Sequence, residues 1–223
     1  MNGAATVFGV NFADGRIKGY PRDRGPRGQP MRQFVRYVRG NTEYGVNQFR
    51  NDNNGTVSDL ATGLMWARSD SGKGMDWESA LAWVQQKNKE VYFGYYDWRL
   101  PDAKELHSIV DYRRSPSATN SAAIDLVFEV TSVTDERGSQ NYPFYWKSTT
   151  HVNAAGGADT AVYIAFGEAP GYMMNSWTDV HGAGAQRSDP KRGDPRAFPY
   201  GRGPQGDAIC ILNFIRCVRN TGK

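Results

Sequence analysis

Residues 97–110 read DWRLPDAKELHSIV, an extended stretch followed by a helix. Asp102, with Glu105 three positions later, is a capping-box pattern that predicts where the helix begins. The apolar residues that recur at helical spacing are Ala103, Leu106, Ile109 and Val110. They predict a helix with one face packed on a core, and His107, one step off that face, is expected at the surface or the core edge.

A second amphipathic helix is predicted earlier in the chain, with Asp76 as its N-cap. Its inward residues, at i, i+3, i+4 and i+7, are Trp77, Ala80, Leu81 and Val84. Asn54-Gly55 is a strong hairpin signal between two short extended runs, and Leu64-Met65-Trp66 continues as a strand. Later strands are predicted at 144–149, 160–166 and 209–218. Two helices with several short strands predict the α+β class.

Length and composition narrow the class of protein. The 223 residues fit one domain, or one domain plus a fragment. Mean hydropathy is −0.64, and no apolar run approaches the roughly 18 residues of a membrane span. With 22% charged and 13% aromatic residues, the chain is also unlike a disordered one. Residues 1–50 hold nine Lys and Arg against three acidic residues, so this arm either meets an anionic partner or is simply solvated.

Part of the chain is repeated. The matched pairs, in the same order in both copies, are 6–12 with 160–166, 19–20 with 171–172, 24–28 with 202–206, and 34–39 with 214–219. Matches that keep the same order favour a true repeat over convergent strand patterns. We therefore predict that residues 1–40, a strand-rich basic arm, are the tail of a preceding unit, and that 41–223 form one complete unit.

The 42 residues between the strands 160–166 and 209–218 carry Trp and Tyr among many charges. A stretch this long is usually functional or disordered, and its composition favours an ordered binding loop. Trp177 and Tyr200 are expected to stack on a sugar or peptide, and the cations to contact anionic groups, although each charge could be merely solvated. The full predicted ligand-binding set is Trp177, Asp179, His181, Gln186, Arg187, Asp189, Lys191, Arg192, Arg196, Tyr200, Ile209, Ile211 and Asn213.

Tests for catalytic motifs are mostly negative. The sequence has no H-E-x-x-H, C-x-x-C or G-x-S-x-G, and the G-x-G-x-x-G at 201–206 precedes a strand rather than a helix. Ser148 or Ser188 with a distant His and Asp could form a triad, and paired acids of a glycosidase would leave no local signature. A zinc site built from the three histidines and Asp179 has no support in their spacing.

Two features bear on cofactors. Cys210 and Cys217 lie seven apart on one predicted strand, which sets them about 23 Å apart on opposite faces, so free thiols are expected. The acidic run at 52–59 is similar to a calcium loop, but Arg50 would stand at its first ligand position and Ala61 at its twelfth. No cofactor is predicted, and calcium is the one ion left open.

Five segments together resemble a known family. They are NGTVSD at 54–59, ATGLMW at 61–66, DWRLPDAKEL at 97–106, YWKST at 145–149 and FIRCVR at 214–219. In this order they resemble the DUF1566 family, the C-terminal domain of the Legionella collagen-like adhesin, over about residues 45–220. The resemblance implies a C-type-lectin-like fold related to formylglycine-generating enzymes, in which two helices and small mixed or antiparallel sheets hold a long irregular ligand-binding loop region.

The resemblance also implies a setting and roles. Family members occur in secreted and surface proteins of bacteria, the named adhesin binds sulfated glycans, and proteins diversified by retroelements use the same fold. Within the motifs Trp98 is expected to fill the core and Arg99 to bond loop carbonyls. Formylglycine-generating enzymes bind copper through a cysteine pair, a use that the C-x6-C spacing here argues against. The Glu-Pro-Asn triplet of calcium-dependent lectins is missing, so calcium-mediated sugar binding is not implied.

These observations predict a non-enzymatic ligand-binding module, a bacterial or phage surface, adhesion or receptor-binding domain, that uses residues 173–213 to bind a glycan or protein. Diversification by a retroelement is a further option. The alternatives are a copper oxidase or hydrolase on the same fold, and a structural component of a surface or tail assembly. An extracellular, cell-surface or periplasmic location is expected. Membrane insertion is excluded, nucleic-acid binding is disfavoured, and a homo-oligomer is left open.

Overall fold

The computed structural model describes residues 5–23, 25, 28–29, 31–153 and 155–222. Its strands are β1 (Thr6–Val10), β2 (Ile17–Pro21), β3 (Phe49–Asn51), β4 (Thr56–Asp59), β5 (Leu64–Ala67), β6 (Val133–Thr134), β7 (Gln140–Asn141), β8 (Phe144–His151), β9 (Thr160–Ala165), β10 (Pro170–Met173), β11 (Ser176–Asp179), β12 (Gln186–Pro190) and β13 (Val218–Asn220). The helices are α1 (Trp77–Lys89), α2 (Ala103–Ser108) and α3 (Pro116–Thr119), with short 3₁₀ turns at Tyr92–Gly94 and Pro195–Ala197.

Two antiparallel sheets organise these elements. One has the order β1-β2-β12-β9-β8 and the other the order β13-β5-β4-β3, while β6-β7 and β10-β11 form separate hairpins. The architecture is α+β, as predicted, with small antiparallel sheets and few helices. No helix in the described part of the chain is long and apolar enough to cross a membrane.

The core forms around two apolar clusters. One joins β4 and β5 to α2 through Val57, Trp66 and Leu106. The other packs α1 against Trp98, Trp146 and other fully buried groups. Burial of large aromatic side chains of this kind stabilises each by about 1.5–3 kcal/mol. These clusters fix the two helices to the sheets, and a third, smaller cluster of Ala165, Ala169 and Ala185 packs part of the segment after β9.

The predicted helix starts are confirmed. The Asp76 carboxylate accepts from the Ser79 amide at 2.7 Å, and Asp102 and Glu105 form a reciprocal capping box. The inward face of α1 is only partly as predicted, because Ala80 is buried whereas Leu81 is 36% exposed. His107 lies at the core edge, where its Nε2 is 2.7 Å from the Tyr112 hydroxyl.

The predicted hairpin at Asn54-Gly55 is confirmed as β3–β4. Gly55 has a φ of +92°, and the ring of Phe93 fills the space that a side chain there would need. Asp52 serves the hairpin itself, since its carboxylate accepts from Ser58 Oγ at 2.7 Å and Thr56 Oγ1 at 3.0 Å.

The predicted strand 209–218 is wrong over most of its length. Only Val218–Asn220 is a strand, paired with β5. The preceding stretch is extended but bonds to different elements in turn, as when the Asn213 amide donates to Met75 and the Phe214 amide to Phe144. Both cysteines are free, as predicted. They do not lie on opposite faces of a strand, because Cys210 and Cys217 pack in the same core cluster.

Arg99 does not take the role expected from the motifs. Arg99 forms a bidentate pair with the Glu105 carboxylate at 2.6 and 2.7 Å instead of bonding loop carbonyls. The fully buried Arg216 takes that role, donating to the carbonyls of Ala67, Arg68 and Glu129. Trp98 is in the core, as expected.

The N-terminal hairpin β1–β2 has the register of the β9–β12 pair. Thr6 opposes Pro21 in one, and Thr160 opposes Pro190 in the other. The Gly-Tyr match does not correspond structurally, since β2 pairs with β1 whereas β10 pairs with β11. Arg24, Pro26 and Arg27 of the third match lie outside the described residues. The division of the chain at residue 40 stays a prediction.

Candidate functional site

The stretch 167–208 is ordered but is not an irregular loop. It contains β10, β11, β12 and one 3₁₀ turn. β12 is an interior strand of the larger sheet, flanked by β9 and, through the single pair Gln186–Ile17, by β2. The segment therefore has an inner part that belongs to the sheet and an outer part, the β10–β11 hairpin and the residues after β12.

The outer part presents three aromatic side chains, which we name the aromatic platform: Tyr172, Trp177 and Tyr200. Tyr172 and Trp177 oppose each other across β10–β11, with ring centroids 5.4 Å apart. The Tyr200 ring lies 4.8 Å from that of Tyr172 and is 63% exposed. Both predicted stacking residues, Trp177 and Tyr200, therefore contact a third ring, Tyr172, which was not predicted from the sequence.

The turn between β10 and β11 lies beside this platform. Met174 and Asn175 both have positive φ, 50° and 62°, in a two-residue turn of the kind that suits a twisted hairpin. Methionine rarely adopts that conformation, and Met174 is 95% exposed. An exposed, flexible thioether therefore extends the apolar surface next to the rings.

Cations surround the outer part unevenly. Arg196 is exposed and pairs with Asp194 at 2.9 Å, and the Arg202 guanidinium lies over the Phe198 ring at 4.7 Å. Lys191 and Arg192 contact the α1 side instead: Lys191 Nζ lies 4.3 Å from the centre of the Trp77 ring. Arg196 and Arg202 are therefore the cations nearest in sequence to Tyr200.

The inner part contains a largely buried cluster of polar side chains, which we name the inner network. Its members are Tyr163, Asp179, His181, Arg187, Asp189 and Asp207. The Tyr163 hydroxyl and the Cys210 amide both donate to Asp189 Oδ2 at 2.7 Å. Arg187 donates to the Ala208 carbonyl at 3.0 Å and lies 3.5 Å from Asp207. These bonds tie β9 and β12 to the stretch 207–210.

The same network fixes the end of the β10–β11 hairpin. His181 Nε2 lies 2.7 Å from Asp207 Oδ1, and Asp179 accepts from the Ala169 and Gly182 amides. Although burial opposes its charge, the bond to His181 and the nearby Arg187 hold the pKa of Asp207 below its usual value. Burial also opposes the charge of Arg187, but the neighbouring Asp189 and Asp207 carboxylates outweigh it and raise the pKa of Arg187.

The predicted ligand-binding set is divided by depth. The buried members are Asp179, His181, Arg187, Asp189, Ile211 and Asn213. The half-buried members are Trp177, Gln186, Lys191 and Ile209, and the exposed members are Arg192, Arg196 and Tyr200. Gln186 is engaged, since it accepts from Lys147 and donates to the Gly15 carbonyl at 2.7 Å.

Three residues of the predicted ligand-binding set lie away from the aromatic platform and line a cavity of about 240 Å³. They are Ile209, Ile211 and Asn213, which face the β6–β7 hairpin. Nδ2 of Asn213 donates to Cys210, whereas its buried Oδ1 has no partner among the described residues. Glu136 lies at the edge of the cavity. Desolvation and the charge of Asp135 raise the pKa of Glu136. Glu136 had no sequence signal beyond its acidity.

A second cavity, of about 220 Å³, lies between the β1–β2 turn and the end of β8. Ser188 Oγ and His151 Nδ1 are 2.5 Å apart on its wall. Lys147 is fully buried nearby, and burial lowers its pKa to about 7. Among the described residues no cluster of three or more His, Cys, Asp or Glu side chains is arranged to hold a metal ion.

One comparison with known proteins is informative. The family model described as the Lcl C-terminal domain matches residues 55–181, more than half of the chain. No curated protein and no solved structure matches. The matched region contains all three helices, β9 and the β10–β11 hairpin, so it includes Tyr172 and Trp177 and ends before Tyr200.

Proposed function

Because the chain belongs to the Lcl C-terminal domain family, a family of adhesin-like surface domains, we propose that it is a non-enzymatic binding module that holds a glycan on the aromatic platform. The finer parts of the proposal are a location at a bacterial or phage surface and a glycan that carries anionic groups. The observation that carries it is the group of three contacting rings, one of them 63% exposed, in the segment that the fold leaves on the outside.

Aromatic rings suit this role because they offer an apolar face and lose little conformational entropy when a ligand covers them. The apolar face of a sugar ring could lie on Tyr200 and the half-buried Trp177, with the Tyr172 ring between them fixing their spacing. Rigid placement matters, since a preformed surface avoids the cost of ordering side chains on binding.

The proposed anionic character of the glycan rests on Arg196 and Arg202. Guanidinium groups form paired hydrogen bonds to sulfate or carboxylate groups. Arg196 is exposed, and among the described residues its guanidinium pairs with Asp194 alone, so it can exchange that partner for a ligand. Arg187 has no such freedom because it is buried in the inner network.

We also infer a C-type-lectin-like fold. Two capped helices, small antiparallel sheets and a long excursion between β9 and β13 support it. The excursion contains regular strands, which makes its shape more constrained than the irregular region that the resemblance implies.

The test is binding to immobilised heparin, with unsulfated dextran as the neutral probe. Tyr200→Ala and Trp177→Ala should each weaken heparin binding about tenfold, the loss expected for one stacked ring of roughly 1.4 kcal/mol. Leu212→Ala is the matched control, since Leu212 is 54% exposed and outside the platform. Circular dichroism confirms folding. Unchanged heparin binding by both folded platform variants would refute the proposal.

The copper-oxidase alternative has little support in the thiols. Burial raises the pKa of Cys210 well above its usual value and that of Cys217 to about 12, which disfavours the thiolate that a metal needs. Copper titration of the chain with and without Cys210→Ser decides this point. Stoichiometric copper that disappears in the variant would favour the oxidase.

A hydrolase is favoured by one specific observation, the contact between Ser188 and His151. A serine nucleophile also needs its histidine oriented by a third group. Among the described residues, the polar side-chain contact of the His151 ring is with Ser188 alone. Labelling by a fluorophosphonate, lost in Ser188→Ala, would establish this second candidate, and no labelling would remove it.

A further inference from the structure

Two copies of one hexapeptide have opposite environments. Residues 34–39 read FVRYVR and residues 214–219 read FIRCVR, so they differ only at 35/215 and 37/217. In the first copy Phe34, Tyr37 and Val38 are at least 94% exposed. In the second copy Ile215, Arg216, Cys217 and Val218 are at most 1% exposed. Exposed apolar residues in such a row mark an interaction surface.

The buried copy shows what this hexapeptide requires. Val218 opposes Trp66 at the edge of β5 and exchanges backbone hydrogen bonds with Arg99. Arg216 donates to three carbonyls while its guanidinium lies 5.1 and 5.2 Å from the centres of the Phe128 and Tyr145 rings. A receptor therefore needs an unpaired strand edge, a set of carbonyls for one arginine and an apolar floor.

The exposed copy has none of these partners in the part of the chain that the structure describes. No backbone hydrogen bond joins residues 31–40 to another described residue. Arg36, which corresponds to the buried Arg216, lies over the exposed Phe12 ring at 5.9 Å. The preceding hairpin has the register of β9–β12, so this arm repeats two separate parts of the complete domain.

We propose that residues 34–39 are the last segment of a second domain of this fold and lie against a strand equivalent to β5, with Arg36 taking the place of Arg216. The receptor is a sister domain and not a second copy of this chain. In this chain the edge of β5 is already paired with Val218–Asn220, and Cys217 is buried. A tyrosine does not fit in that space, so Tyr37 requires a receptor with a wider cavity at this position.

The test uses the full chain with a protease site inserted in the exposed turn at 202–204. After cleavage, residues that follow the site stay bound through their buried contacts. Denaturant is raised until a labelled peptide of residues 208–223 exchanges into the nicked chain. Under the same conditions, a labelled peptide of residues 31–42 that carries Tyr37→Cys should displace the C-terminal fragment released by cleavage. Its affinity should be within tenfold of that of the 208–223 peptide.

Matched peptides separate the outcomes. Adding Arg36→Glu should reduce binding at least a hundredfold, whereas Arg32→Glu, outside the hexapeptide, should leave it unchanged. A Tyr37→Cys peptide that stays unbound where 208–223 exchanges would overturn the proposal. The natural Tyr37 peptide should bind at least tenfold more weakly than Tyr37→Cys, and equal affinity would overturn the assignment to a sister domain in favour of a second copy.

Discussion

The inner network and the aromatic platform come from the same stretch of sequence and differ in depth. Arg187 and Asp189 on β12 are about 5% exposed, whereas Tyr200, eleven residues beyond Asp189, is 63% exposed. Both parts are rich in residues that binding sites use. The buried charges bond other groups of the fold, so the exposed rings and arginines of this segment are the ones left to contact a ligand.

The largest expected effect comes from removing the centre of the inner network. Arg187→Ala leaves Asp189 and Asp207 without their buried cation, and breaking a buried pair from one side costs about 3–5 kcal/mol. Urea unfolding should show this loss. The control is Arg192→Ala, whose side chain is 77% exposed and 3.8 Å from Glu78, and which should stay within about 0.5 kcal/mol of the parent. Equal stability of the two variants would contradict the comparison.

The next effect is a dependence of stability on pH. Because the folded-state pKa of Asp207 lies below its unfolded value, its contribution is present above the unfolded pKa and is lost as pH falls through the folded one. Asp207→Asn should therefore cost about 1.5–3 kcal/mol at pH 7, as for a hydrogen bond to a charged group. The difference from the parent should shrink in acid. A difference that stays constant between pH 7 and pH 2 would refute this account.

The local parts of this architecture follow from the sequence because their causes are local. Asp76 and Asp102 cap their helices within three residues, and Gly55 supplies the positive φ of its hairpin. The same local reasoning did not predict the structure of the stretch 209–217. Its alternation fits a strand, but its hydrogen bonds go to Met75, Phe144 and other separate elements. Periodicity reports extension and carries no information about partners.

The depth of charged residues was beyond sequence reasoning for a similar reason. Asp189 is buried because Tyr163 and Cys210, 26 and 21 residues away, both donate to it. Trp177 and Tyr200 were predicted together from their type, and the ring that joins them, Tyr172, was missed. The only signal for it was the Gly-Tyr pair, which had been assigned to the repeat.

A smaller effect is expected at Arg196, where a substitution should change heparin binding without changing the stability of the fold. Arg196 is exposed, and its ion pair with Asp194 is local to the 3₁₀ turn. Arg196→Ala should leave the urea midpoint unchanged and weaken heparin binding about two- to fivefold, the range of an exposed ion pair. Arg113→Ala is matched to it, being equally exposed and paired with Asp111 in the same way. Equal heparin binding by the two variants would place the anion elsewhere.

The smallest effect concerns the turn at Met174, where a strained residue lowers the stability of the fold but adds exposed apolar surface. Asparagine adopts a positive φ more readily than methionine, so Met174→Asn should stabilise the chain by about 0.5–1 kcal/mol. It should also weaken heparin binding slightly, because the exposed thioether beside Tyr172 is lost. Asn175→Gly, which relaxes the same turn without removing that side chain, should stabilise without weakening binding. A Met174→Asn variant that loses stability would show that Met174 packs with the core. The difference in depth between the inner network and the aromatic platform would then not extend to this position.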